Sequence, residues 1–180
     1  GCVDALRIQA DEKRQTLLFH ASDAGSFLLC DIHKMERVLI NVIGNAIKFT
    51  PEGGRIEVGV GRCERRTGYV QFVCDDTGVG IPSESLGLVA ERYFRIGKQV
   101  SGSGLGLAIS KEIIVLHGGL LEVLSPVPGS DRGTSVRVLL PAEPPPLVLV
   151  VDDDPLVLEL LSGQIGEAGY RVATATSARE

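Results

Sequence analysis

Hydrophobic and polar positions in this chain alternate between two periods. Ile32, Met35, Val38, Leu39, Val42, Ile43, Ala46 and Ile47 recur at steps of three and four, the spacing of a helix that buries one broad face. Asp31 precedes the run as an N-cap, and Pro51 follows it. The pattern therefore predicts a long helix from Asp31 to about Phe49, with the whole apolar stripe in a core. A second helix is predicted over Leu105 to His117, opened by Gly102 and Gly104 and stopped by Gly118-Gly119. Residues 4–15, with Leu6, Ile8 and Ala10 among charges, predict a third. Apolar residues alternate or run together over Thr16–His20, Ser26–Cys30, Arg55–Gly61, Tyr69–Cys74, Leu120–Leu124 and Thr134–Leu140, which predicts strands. Asp75 to Pro82 predicts a glycine-bearing turn, and Ser83 to Gly97 a weakly helical, loop-rich stretch.

The run Pro141-Ala142-Glu143-Pro144-Pro145-Pro146 breaks this pattern. Consecutive prolines favour stiff, extended backbone and cannot continue a helix or a central strand. Beyond it, Leu147 to Val151 predicts a buried strand ending in Asp152-Asp153-Asp154. Leu156 to Ala168 predicts a helix and Tyr170 to Ala175 another strand. The expected class is α+β: several strands with about three helices, then a smaller strand–helix–strand fragment.

Composition adds exclusions. Hydrophobic residues make up 44% and charged residues 23%, as in ordinary globular domains. Aromatics reach only 4%, so the core rests on Leu, Ile, Val and Ala. A net charge of −5 lacks the basic footprint of a nucleic-acid binder. An anionic ligand would need local compensation from Mg²⁺, Lys, Arg or backbone N–H groups. Cys2, Cys30, Cys63 and Cys74 have no C-x-x-C spacing and read as reduced thiols, two of them within apolar runs. No stretch approaches the ~20 apolar residues of a membrane span. The expectation is a fragment of a longer cytoplasmic polypeptide, without membrane contact of its own.

The opposite face of the Asp31–Phe49 helix carries Lys34, Arg37, Asn41, Asn45 and Lys48. Such a stripe can be plain solvated surface. Asn, however, is a poor mid-helix residue because its side chain competes for backbone hydrogen bonds. Here two stand one turn apart beside Gly44. An amide oxygen suits Mg²⁺, which takes hard oxygen ligands and keeps waters and phosphates in its shell. Lys48, one turn beyond Asn45, can meet phosphate as a point charge.

Two glycine segments lie downstream. Asp75-Asp76-Thr77-Gly78-Val79-Gly80-Ile81-Pro82 reads as a turn in which glycine supplies positive φ. Gly102-Ser103-Gly104-Leu105-Gly106-Leu107 opens a helix, where free N–H groups and the helix dipole can meet phosphate. The latter matches neither the dinucleotide fingerprint nor the Walker loop.

Together these segments resemble the catalytic domain of sensor histidine kinases, within the wider GHKL ATPase superfamily. Asn41-x-x-x-Asn45-Ala-x-Lys48-Phe49-Thr50 is similar to that family's asparagine box, Asp76-x-Gly78-x-Gly80 to its first glycine box, and Gly102 to Leu107 to its second. Glu91-Arg92-Tyr93-Phe94-Arg95 resembles its phenylalanine box, and Leu116-His117-Gly118-Gly119 and Gly133-Thr134 fall where the family places them. The resemblance implies a two-layer sandwich of the Bergerat type, with a mixed sheet. It implies ATP and Mg²⁺ as cofactors, with Asn45 as metal ligand and Lys48 on phosphate. Phe49 lies near adenine, Asp76 reads the adenine amine, and Arg95 stabilises the γ-phosphate. Asn41, Gly78, Gly80, Ile81, Gly102, Ser103, Gly104, Leu105, Gly106, Leu107 and Thr134 complete the implied ATP site, with Asn41, Lys48 and Arg95 as its catalytic set. Thr77 stands where Asn is commoner, and Ala90 where Phe is usual.

The superfamily's hydrolases place a Glu one turn before the metal-binding Asn, as base for water. Asn41 occupies that position, and an amide cannot take a proton from water at neutral pH. The expected activity is therefore phosphoryl transfer to histidine. The alternatives are a GHKL-type ATPase or a non-catalytic nucleotide-binding module. His20, His33 and His117 lack the surroundings of a phosphoacceptor, so the acceptor and dimerisation helices are expected before residue 1. The expected layout is a connection over 1–15, the catalytic domain over 16–141, a linker over 142–146 and, over 147–180, the start of a domain that resembles a response-regulator receiver. There Asp152 and Asp153 would be the acidic pair. A receiver ending after two strands is expected to expose much apolar surface. The whole implies a homodimeric hybrid kinase of a two-component system, membrane-anchored or not, with a response regulator or receiver as partner.

Overall fold

The computed structural model describes residues 2–22, 27–94 and 104–176, with side chains from residue 6 onward. The chain divides into two compact units. The first comprises residues 1–24 and 28–142, the second residues 25–27 and 143–180.

In the first unit, α1 (Cys2–Glu12) leads into β1 (Thr16–Ala21), followed by α2 (Ile32–Phe49), β2 (Arg55–Arg62) and β3 (Tyr69–Asp76). A single turn, α3 (Ser83–Leu86), precedes α4 (Gly106–Leu116), and β4 (Leu120–Leu124) and β5 (Ser135–Pro141) close the unit. The strands form one sheet in the order β1-β2-β3-β5-β4. The β1–β2 pair is parallel and the others antiparallel, so the sheet is mixed.

Strand alternation fixes which side chains meet the helices. Ile56 and Val58 on β2, Phe72 and Cys74 on β3, and Val136, Val138 and Leu140 on β5 face one way. They pack on Leu6 and Ala10 of α1, Val38, Val42, Ile43, Ala46 and Ile47 of α2, and Ile113 and Ile114 of α4. Three helices on one sheet face give the α+β class that the pattern predicted and the two-layer sandwich that the resemblance implied. Asp76 shares the inward parity of Phe72 and Cys74 and is 7% exposed. Its carboxylate is thereby delivered between the layers.

The predicted N-cap is present: Asp31 Oδ1 accepts from the N–H groups of His33 and Lys34, at 3.0 and 3.1 Å. These bonds hold the Asp31 carboxyl below its usual range, the Lys34 N–H first among them. The other end of α2 is held by the α1–β1 turn. Lys13 Nζ donates to the carbonyls of Ile47 and Thr50, and buried Gln15 Nε2 donates to the same two at 2.9 and 2.6 Å.

Three expectations need correction. Ser26–Cys30 is not a strand: over the described part, Phe27 makes only an isolated bridge to Glu143, and Leu29 is 84% exposed. Ile32 is not core, because it begins α2 beyond the sheet's edge of contact and is 67% exposed. The turn after β3 begins later than expected, since Asp75 and Asp76 still pair, with Glu57 and Ile56.

The second unit contains β6 (Leu147–Val151), α5 (Pro155–Glu167) and β7 (Arg171–Ala175). β6 and β7 pair in parallel, and Asp154 caps α5 by accepting from the Leu156 N–H. Leu147, Leu149, Leu156 and Leu160 are exposed. Cys63 and Cys74 in the first unit are buried free thiols, whereas Cys30 is only half-buried. No described helix is long and apolar enough to cross a membrane.

Candidate nucleotide site

A cavity of about 380 Å³ opens between α2, the end of β3 and the start of α4, within the size range of small-molecule sites. Asn41, Asn45, Lys48, Phe49, Asp76, Gly80, Ile81, Gly104, Gly106, Leu107 and Thr134 line it. Eleven positions singled out from widely separated segments are thus brought to one place. Gly78 and Leu105 lie beside it without lining it. Arg95, Gly102 and Ser103 lie outside the described residues.

The polar wall is α2. Asn41 Nδ2 donates to Ser110 Oγ on α4 at 3.0 Å. A Cβ at Gly106 would run into the Asn41 amide, so glycine lets the start of α4 close on α2. The Asn45 amide, one turn on, makes no side-chain hydrogen bond among the described residues. Lys48 Nζ lies 5.2 Å from the Phe49 ring centroid.

The buried end is Asp76. Its Oδ1 accepts from Gly78 N–H at 2.8 Å and Thr134 N–H at 3.1 Å, which leaves Oδ2 without a hydrogen bond among the described residues. Burial raises the Asp76 pKa above the ordinary carboxylate value. The two N–H bonds oppose the shift and neighbouring Asp75 adds to it. Gly78 also allows a close approach: a Cβ there would lie 2.8 Å from the Phe49 carbonyl oxygen. Thr77 turns away from the cavity, its Oγ1 accepting from Arg55 N–H at 2.9 Å.

α4 starts without a side-chain cap at Leu105, and helix starts present N–H groups that can meet an anion. Residues 91–94 rest against the same helix. Arg92 donates a fork of two bonds to Glu112, each 2.9 Å, and Tyr93 N–H donates to the Gly104 carbonyl at 2.9 Å. Phe94 completes the wall.

Sequence reasoning missed Val89, Cys74, Val123 and Val136, which form the apolar floor with Val42 and Ala46. Cys74 carried a signal, its shared parity with Asp76 on β3, whereas Val136 and Val123 reach that face only through strand pairing. Val89 carried none. Burial raises the Cys74 thiol pKa far above its usual value, so this floor is uncharged. Among the described residues no three His, Cys, Asp or Glu side chains cluster as a metal cage. The donor set fits a cation held mainly by ligand oxygens and water, with one or two amides, as Mg²⁺ prefers.

Residues 30–144 match the model of the histidine kinase-, DNA gyrase B- and HSP90-like ATPase family. The signal transduction histidine-protein kinase/phosphatase MprB of Mycobacterium leprae is 38% identical over 138 residues, 75% of this chain and 26% of that protein. Its counterpart from Mycobacterium tuberculosis is 36% identical over 148 residues, 81% of this chain and 29% of that one. The chain thus spans about a quarter of the length of these relatives. Among solved structures, the mycobacterial sensor histidine kinase MprB aligns with TM-score 0.66 at 32% identity, over 79% of this chain and 93% of that one. The catalytic domain of histidine kinase ThkA aligns with TM-score 0.67 at 23% identity, over 78% and 87%. Full-length ShkA in complex with AMPPNP aligns with TM-score 0.66 at 24% identity, over 99% and 39%. The chain belongs to the histidine kinase-, DNA gyrase B- and HSP90-like ATPase family, as the ATPase domain of a sensor histidine kinase.

Proposed function

We propose that the chain binds Mg-ATP in this cavity and transfers the γ-phosphoryl group to a histidine on a separate phosphoacceptor helix domain. The observation that carries the reading is the placement of Asn41, Asn45, Lys48, Asp76 and the start of α4 around one cavity. Asp76 Oδ2 accepts from the adenine amine, and the apolar floor takes the ring. The first turn of α4 and Lys48 meet the phosphates. Asn45 offers its amide oxygen to Mg²⁺, which when bound neutralises phosphate charge. Arg95 is the further cation of the proposed set. The bound AMPPNP of the ShkA structure supports a nucleotide in this fold.

Phosphoryl transfer forms a bond from an imidazole nitrogen to the γ-phosphorus, breaks the β–γ bridge and releases ADP. A neutral imidazole needs no base for this, so the work is positioning and charge stabilisation. Asn41 has no capacity to deprotonate water, which favours transfer over hydrolysis.

The second unit completes the proposed layout as the start of a receiver. Its parallel β6–α5–β7 order supports this. Asp152 and Asp153 directly follow β6 and would form the acidic pair. The proposed whole is a homodimeric hybrid kinase whose catalytic part lies in the cytoplasm, with a receiver or response regulator downstream.

The test supplies γ-labelled ATP, Mg²⁺ and a separate histidine-kinase phosphoacceptor domain. Alkali-stable, acid-labile label on that domain is expected. Steady phosphate release without an acceptor would establish an ATPase instead, and binding with neither outcome a regulatory module.

A further inference from the structure

We infer that Ser125, which does not line the cavity, is a positioning residue for its base-binding end; the inference rests on the nucleotide reading above. The segment Asp76–Ile81 supplies both the acceptor carboxylate and the backbone of Gly80 and Ile81 along the wall. Such a glycine-bearing segment has many conformations open to it, so something outside it must select one.

The connection between β4 and β5 makes that selection at two points. At the first, Asp76 N–H donates to the Thr134 carbonyl at 2.9 Å while Thr134 N–H returns to Asp76 Oδ1. At the second, Ser125 Oγ accepts from Ile81 N–H at 2.8 Å and donates to the Gly133 carbonyl at 2.7 Å. One hydroxyl therefore ties the far end of the segment to the same connection that holds its near end. The fit is close on both sides. A Cβ on Gly80, whose φ is 74°, would lie 3.0 Å from Ser125 Oγ, and a Cβ on Gly133 would strike the Asp76 carbonyl. Donating and accepting at once requires a hydroxyl: alanine loses both bonds, whereas threonine can keep both.

Without the tie, Ile81 N–H loses its partner and Gly80-Ile81 can swing away from the base. Phosphate contacts on α2 and α4 stay in place. Loss of the tie should thus fall on base recognition rather than on nucleotide binding in general.

The test is equilibrium binding of ATP and GTP to the full chain, its Ser125→Ala variant and its Ser125→Thr variant. Amide hydrogen exchange at Ile81 is read in the unaltered protein. Ser125→Ala should weaken ATP about tenfold, the scale of one or two lost hydrogen bonds, and GTP less, so that discrimination shrinks. Ser125→Thr should restore it. Unchanged ATP affinity, or equal losses for ATP and GTP, would overturn the inference. So would an Ile81 amide that exchanges unprotected, a readout that stands even where the alanine variant does not fold. Unaltered protein that binds no adenine nucleotide would overturn the site reading itself, and the inference with it.

Discussion

Asn41 on α2 and Ser110 on α4 are joined by a 3.0 Å hydrogen bond, and the Asn41 amide fills the space that a side chain at Gly106 would need. Gly106→Ala should therefore separate stability from function. Alanine gains up to about 1 kcal/mol over glycine in a helix, while displacing Asn41 loses its bond to Ser110, about 1 kcal/mol. Urea denaturation should show little net change. Mg-ATP affinity should still fall about tenfold, since the polar wall has moved. A parallel loss of stability and affinity, or of neither, would contradict this.

Asn41→Glu tests the choice between transfer and hydrolysis. A carboxylate at this position would face the cavity beside the positive end of α4, and it could serve as a base for water. A well-placed general base contributes about 10²–10⁴-fold, and an ungroomed one much less. Phosphate release without an acceptor should rise about tenfold. An unchanged rate would remove the argument that Asn41 is what disfavours hydrolysis.

Asn45→Ala addresses the metal. The amide has no other hydrogen-bond partner among the described residues, so its loss should cost the fold little. Titration with ATP in the presence and absence of Mg²⁺ should show the magnesium-dependent part of binding abolished. Retention of that part would assign the cation to other ligands.

Asp76→Asn carries a sign that can be worked out. Burial raises the folded-state pKa of Asp76 above its unfolded value. The native state then binds the proton more tightly. The stability so conferred is fully present below the unfolded pKa and is lost as pH rises through the folded one. At neutral pH the ionised carboxylate is thus a net cost that asparagine removes. The variant should unfold at equal or higher temperature at pH 7, with the advantage vanishing at acid pH. Its Oδ1 can still accept from Gly78 and Thr134, but Nδ2 would then face the adenine amine, donor against donor. ATP affinity should drop about 100-fold, with inorganic phosphate unaffected. Equal loss for both ligands would reduce Asp76 to a turn residue.

What the sequence made legible follows from where periodicity exists. The Asp31 cap and the α2 stripe are local patterns that the chain spells out; that Asn41, Asn45 and Asp76 share a site was implied only by the family resemblance, and the three do line one cavity. The apolar run Phe27-Leu28-Leu29 also looked like a strand, but a strand needs a partner, and pairing is not local. Ile32 kept the helical period and still fell outside the core, because period says nothing of how far the sheet beneath extends. Ser125, Lys13 and Gln15 were invisible. Each is a lone polar residue whose partners lie 8 to 44 positions away, and no repeat marks such contacts.

Gln15 gives the last prediction. Its side chain is 5% exposed, and Nε2 donates to the carbonyls of Ile47 and Thr50 at the end of α2. Helix ends leave carbonyls without intrahelical partners, and these are roofed by the α1–β1 turn, where water cannot readily replace the amide. Gln15→Leu preserves bulk and removes both bonds, so it should destabilise the first unit by about 2–3 kcal/mol. Gln15→Glu should be worse, because a buried carboxylate would meet carbonyl oxygens with no donor to offer. Lys13 reaches the same carbonyls from a more exposed position, so Lys13→Met should cost less, about 1 kcal/mol. Chemical denaturation of the three variants would check the order Glu, Leu, Met from most to least damaging. A Gln15→Leu protein as stable as the unaltered chain would mean that the end of α2 is held by Lys13 and the packing of Ile47, without Gln15.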